Sequence, residues 1–136
     1  MPMEPNVKRQ NIYTQKPVDR KYQYSPAVIH KKSGLLFVSG VCGWDAEGVI
    51  IAPDDPARQA RVAFENLRDI LDTAGAAFSD IIWETEYVTD IRQYPQIARV
   101  RADYFPDNFP AATLVEVTKL FKAGQLFEIQ TIAALE

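Results

Sequence analysis

The chain has 136 residues, 47% of them apolar, which suits one domain with an ordinary hydrophobic core that needs no metal or disulfide staple. Its formal net charge of −3 argues against a nucleic-acid surface, which needs a concentrated basic face; Lys31-Lys32 and the "VKR" at 7–9 are too short to supply one. One cysteine, Cys42, and one histidine, His30, exclude a zinc site of the finger or deaminase type and an internal disulfide within one chain. No apolar run approaches membrane-spanning length and the N-terminus has no apolar signal region, so a soluble, cytoplasmic protein is expected.

Residues 1–22 are polar, contain Pro2, Pro5 and Pro17, and show no sustained period; they are expected to form an extended arm ahead of a single domain over 23–136. "PAVIH" (26–30), the turn "KKSG" and "LLFVSG" (35–40) then read as a β-hairpin whose second strand is apolar almost throughout. Asp45 to Gly48 reads as a turn, and "VII" (49–51) as a third short strand. Asp55 as N-cap, Pro56 as first helical residue and Gly75 as stop bound a helix. Its apolar stripe is Ala60, Ala63, Phe64, Leu67, Ile70, Leu71 and Ala74. "IIWETEYV" (81–88) is a strand, a second helix starts near Tyr94-Pro95 and runs to Phe105, and strands over 113–118 and 126–134 close the chain around a turn at Gly124. The order is β-β-β-α-β-α-β-β, an α+β domain with a five- to six-stranded mixed sheet. Two helices can cover only one face of such a sheet, so a copy of the same chain is expected on the other.

No single motif carries the chemistry. His30 precedes a polar turn and reads as a surface residue; Cys42, beside glycine in "SGVCGW", is either a small buried hydrophobe or a thiol that a ligand can reach. Glu128 alternates with Phe127 and Ile129 in an apolar strand. A carboxylate there is costly unless it is paired or faces a cleft, which makes it the best acid–base candidate, but Glu86 and Glu116 alternate in the same way. Gln130 shares the face of Glu128, and Tyr24-Ser25 and Ser39-Gly40 are polar groups beside the hairpin.

Together the segments resemble the Rid family of reactive intermediate deaminases from about Tyr24 to Ala133. "YSPAV" is similar to the family's "PYSQAV", "LLFVSG" to its "FVSG" strand, and "ARQARVAFENLRDILDTAGAAFSDII" to its long helix. "EYVTDIRQY" and "FPAATLVEV…LFEIQTIA" follow its later strands. The resemblance implies a chorismate-mutase-like fold, a homotrimer with small-molecule clefts between subunits, and hydrolysis of enamines and imines without metal or cofactor. Tyr24 then matches the family's cleft tyrosine, Ser39 and Gly40 its cleft-lining backbone, Glu128 its water-handling glutamate, and Thr113 the residue after its carboxylate-binding arginine. That arginine falls on Ala112, so ordinary 2-imino acids are not expected as substrates, and a hydrolase or tautomerase of an enamine, imine or related small electrophile without an α-carboxylate is expected instead. Val41-Cys42-Gly43 replaces the usual "QIP", Gln130 stands where many relatives carry glutamate, and Cys42, Trp44 and Tyr87 are available to reshape the pocket. Backbone N–H groups near Gly40 or Leu114 are expected to stabilise developing charge. The alternative expectation is a non-catalytic trimeric module that binds a small metabolite; a nuclease is disfavoured by the charge and the single histidine.

Overall fold

Asp55 starts the longest element. Its carboxylate accepts a hydrogen bond from the Arg58 backbone N–H at 3.1 Å, Pro56 occupies the first helical position, and α1 runs Pro56–Ala74 before Gly75 ends it at φ 79°. The structure is a computed structural model and describes residues 8–136. In chain order the strands and helices are β1 (Arg9–Ile12), β2 (Ala27–His30), β3 (Leu35–Cys42), α1, β4 (Ile81–Val88), α2 (Tyr94–Tyr104), β5 (Ala111–Glu116) and β6 (Phe127–Ala134), with short 3-10 turns between some of them. They build the expected α+β domain: one six-stranded sheet in the order β1-β2-β3-β6-β4-β5. All pairings are antiparallel except β4 with β5, which run parallel and are joined through α2.

The predicted stripe of α1 is the buried one, save that Ala74 is only half-buried and Gln59 is buried in full. It packs with Ile97, Val100 and Tyr104 of α2 against Leu36 and Val38 of β3 and Phe127 and Ile129 of β6. Phe64 is the hub: its ring lies 4.8 Å from Tyr104 and 5.6 Å from Phe127, centroid to centroid. The opposite face of the sheet carries no helix. In register across it stand Val28, Phe37, Ile132 and Trp83, with Phe37 45% and Trp83 37% exposed.

Three expectations need correction. Within the expected arm, Arg9–Ile12 form β1, which pairs with β2 as an edge strand, Pro17–Arg20 form a 3-10 turn, and the Asp19 carboxylate, buried at 6%, is held by the Thr14 hydroxyl at 2.9 Å. Only Ile12 of β1 is buried, so the segment has no alternation to read; residues 1–7 of the expected arm lie outside the described residues. "VII" at 49–51 is not a strand. Asp45 curls the preceding turn by accepting from the Glu47 and Val49 N–H groups, leaving a single bridge between Ile50 and Trp44. The strand expected at 113–118 is shifted to 111–116, beginning directly after Pro110.

Candidate active site

An irregularity in β3 creates the site. The β3–β6 register holds from Leu35 to Val38, breaks, and resumes with Val41 opposite Ile129 and Cys42 opposite Glu128. Ser39 and Gly40 occupy the bulge. Ser39 is anchored there, its hydroxyl donating to the Ser25 carbonyl at 2.6 Å and its N–H to the Pro26 carbonyl at 2.9 Å. Gly40 then lies under the Glu128 side chain: a Cβ at position 40 would fall 2.7 Å from the Glu128 carboxyl carbon and closer still to Oε2. A glycine is required for the carboxylate to sit where it does.

Glu128 lies on the helix-free face with Gln130, in an open cleft of about 490 Å³ that Tyr24, Ser39, Gly40, Cys42 and Trp44 also line. Six sequence-predicted residues, Tyr24, Ser39, Gly40, Cys42, Trp44 and Glu128, therefore converge. Gln125 Nε2 donates to Glu128 Oε1 at 3.1 Å, which fixes the carboxylate and leaves Oε2 turned toward Gly40. A smaller cavity shares Tyr24 and Gly40 with the cleft, is lined also by Asp19 and Asn66, and has room for about one water.

Sequence reasoning missed the outer wall, Tyr22 and Phe121. Tyr22 stacks on Trp44 at 5.8 Å between centroids and takes Phe121 edge-on at 4.9 Å. Tyr22 is brought there by the backbone at Gln23, which turns through φ 62° and breaks any alternation with Tyr24, so no local pattern marks it. Gln125 was missed too, and its position three residues before Glu128 is legible only once β6 has its true start at Phe127.

Four sequence-predicted residues are not in this cleft. Tyr87 stands opposite Glu128 on the neighbouring strand, but its hydroxyl donates to Gln130 Oε1 at 2.8 Å. Ala112, Thr113 and Leu114 lie on edge strand β5, opposite Glu84, Thr85 and Glu86 of β4; Ala112 and Thr113 are exposed and Leu114 packs against the core. The other glutamates separate cleanly from Glu128. Glu86 is buried on the helix-covered side, accepting from Arg101 Nε at 2.9 Å and from the Tyr94 hydroxyl at 2.9 Å, while exposed Glu116 accepts from the Ile91 N–H. His30 bonds Ser33 in its exposed turn.

Burial dominates the electrostatics of the cleft. It pushes Glu128 above the ordinary carboxylate range, against the lowering effect of the Gln125 amide. It also raises Tyr24 to about 12, helped by Cys42, Asp19 and Glu128, so this hydroxyl stays a hydrogen-bond donor at neutral pH. Cys42, 3% exposed, is likewise pushed up to about 12 by burial and by Glu128. It is a packed thiol, not a thiolate nucleophile. What the arrangement offers is a half-buried carboxyl, raised above its ordinary value by burial, beside a phenol donor and an aromatic wall. Among the described residues, no group of three His, Cys, Asp or Glu side chains is placed to hold a metal ion, and no helix is long and apolar enough to cross a membrane.

A family model described as Endoribonuclease L-PSP matches residues 14–135. The chain is similar to the solved structure of YyfA of Yersinia pestis, a member of the conserved Rid protein family: 31% identity, 93% of this chain and 98% of that one covered, TM-score 0.84. It is also similar to Rv2704 of Mycobacterium tuberculosis, of the YjgF/YER057c/UK114 family, at 31% identity with the same coverage and a TM-score of 0.78. To the protein YJGH it is 36% identical, over 93% of this chain and 96% of that one, with a TM-score of 0.83.

Proposed function

The chain belongs to the YjgF/Rid family, and from that premise we propose that it is a cofactor-independent hydrolase of enamines and imines whose substrates lack an α-carboxylate. The observation that carries this reading is the Glu128 carboxyl, half-buried over Gly40 and pinned through one oxygen by Gln125. Its raised pKa suits it to take a proton from water and return it within the same site.

Glu128 Oε2 holds a water against the imine carbon and accepts its proton as the C–O bond forms and the C=N electron pair moves to nitrogen. Glu128 returns that proton to nitrogen, giving the neutral carbinolamine; it then accepts the carbinolamine hydroxyl proton as C=O forms and passes it to the departing nitrogen as the C–N bond breaks, so that ammonia and a carbonyl compound leave and the carboxylate is regenerated. Tyr24, held as a neutral phenol, donates a hydrogen bond to the developing charge, and the backbone N–H groups of the bulge at Ser39-Gly40 are the proposed second donors.

The substrate restriction rests on Ala112. A bidentate arginine on a desolvated carboxylate contributes about 2–5 kcal/mol, so its loss costs on the order of 10²–10³-fold or more in transition-state stabilisation for 2-imino acids. The reading includes a homotrimer. The uncovered row of Phe37, Ile132 and Trp83 is the apolar surface that a neighbouring copy would cover, and the β5 residues Ala112 to Leu114 would join the cleft from across that interface. A cytoplasmic site of action is part of the same proposal. The net charge of −3, and His30 lying in an exposed turn outside the cleft, weigh against a nuclease.

Ammonia release from a panel of imines generated in place by an amine oxidase tests the reading. Turnover of at least one by the native protein, lost in Glu128→Gln with the melting temperature preserved, is the expected result. Full activity in that variant overturns the assignment. Ligand-induced thermal shifts across the panel without product would instead favour the binding-module alternative, which the missing anchor at Ala112 keeps open.

A further inference from the structure

The segment between β5 and β6 carries Phe121 and Lys122, to which the hydrolytic mechanism gives no role. Lys122 is half-buried, unusual for a lysine, and its Nζ lies 5.2 Å from the ring centroid of Tyr22 and 5.6 Å from that of Phe121. Both rings line the cleft, and the ammonium lies against them from the adjoining pocket that Lys122 lines with Phe121 and Gln125. It enters none of the ion pairs between described residues. Its charge reaches into the site, where it is the foremost cause of a lowered Tyr22 phenol pKa and draws Cys42 down against burial.

The segment is held firmly. Gln59, buried in full, donates from Nε2 to the Gly124 carbonyl at 3.0 Å and to the Ile51 and Ala52 carbonyls, and accepts the Leu126 N–H. Gln125 then bridges the two ends of the cleft, accepting the Lys122 N–H at 3.1 Å while its amide donates to Glu128 at 3.1 Å. The backbone at Lys122 and the Glu128 carboxylate are thereby tied through one side chain, with the Lys122 ammonium held beside the rings of Tyr22 and Phe121.

We infer that Lys122 receives the anionic end of the ligand, which lies as a planar conjugated body on Tyr22, Trp44 and Phe121 with its acidic group remote from the carbon that Glu128 addresses. A lysine supplies a point charge where an arginine supplies a fork, so it selects an acidic group without imposing bidentate geometry. The reactive end of this assignment rests on the hydrolase reading; the binding end does not.

Calorimetric titration of the native protein with trans-cinnamate and with neutral cinnamamide separates the two. The native protein should bind the acid about tenfold or more tightly than the amide, as expected for a charge-assisted contact. Lys122→Met should abolish the preference and Lys122→Arg should keep it, while Phe121→Ala should weaken both ligands alike. A preference unchanged in Lys122→Met, or no binding of cinnamate to the native protein, overturns the assignment. Glu128→Gln should keep the preference while losing turnover. Turnover that survives Glu128→Gln with the preference intact defeats the role given to Glu128 and leaves Lys122 as the anion site.

Discussion

Gly40 and Gly43 stand three residues apart in the same strand-end segment, and the same substitution should break different things at each. At position 40 an added Cβ falls 2.7 Å from the Glu128 carboxyl carbon and 3.2 Å from its Cγ, against an ordinary contact of 3.4–4 Å. The obstacle is the far end of a flexible side chain, so Glu128 can retreat by about 1 Å and the fold is spared. A displacement of that size at a catalytic group costs about 10²-fold in rate, while the change in stability should stay under about 1 kcal/mol. At position 43 the Cβ meets the backbone carbonyl of Gln59 and lies 2.6 Å from its Cγ, in the first turns of α1. Backbone cannot give way cheaply, so Gly43→Ala should destabilise by about 1–3 kcal/mol. Paired measurements of kcat/KM for ammonia release and of urea unfolding decide the matter. A Gly40→Ala variant with native activity would refute the claim that the Glu128 carboxylate must lie against Gly40.

Cys42, with its pKa at about 12 and its side chain buried, should react with iodoacetamide at pH 7.5 far more slowly than a free thiol, its thiolate fraction being on the order of 10⁻⁴ or less; mass spectrometry of the intact chain reads this directly. Glu86 carries a pH signature. Burial and the adjacent Glu84 raise it from 4.5 to about 8, so between those values the folded chain holds a proton that the unfolded chain releases. The stability it contributes is complete below about pH 4.5 and is lost as pH rises through about 8. Urea unfolding at pH 5 and pH 8.5 should show that decline in the native protein and a flatter profile in Glu86→Gln.

Elements whose pattern comes from their own residues were legible. The cap at Asp55, the stop at Gly75 and the stripe of α1 all lie within twenty-one residues, and the alternation that set Glu128 and Gln130 against Phe127 and Ile129 is that of β6 itself. What failed depended on partners distant in sequence. Arg9–Ile12 is a strand because β2 offers it an edge, and Val49–Ile51 is not one because Asp45 takes their neighbourhood into a turn. The glutamates show the same division. Period alone left Glu86, Glu116 and Glu128 equivalent, whereas Arg101 and Tyr94, supplied by α2, hydrogen-bond and cover the first. The aromatic wall of Tyr22 and Phe121 joins residues 99 positions apart and was beyond any local signal. In the other direction, the sequence pointed to Ala112 through resemblance to the family, while a single chain leaves that residue on an exposed edge away from Glu128.

The most direct test of the account compares native protein with Ala112→Arg on enzymatically generated 2-aminoacrylate, following ammonia and pyruvate. The account predicts that the native protein adds little to the spontaneous rate and that the arginine variant gains on the order of 10²-fold or more, because only the carboxylate anchor is missing from an otherwise competent cleft. Native activity equal to that of the variant would contradict the role given to Ala112, and two inert proteins would contradict the competence of the cleft built around Glu128.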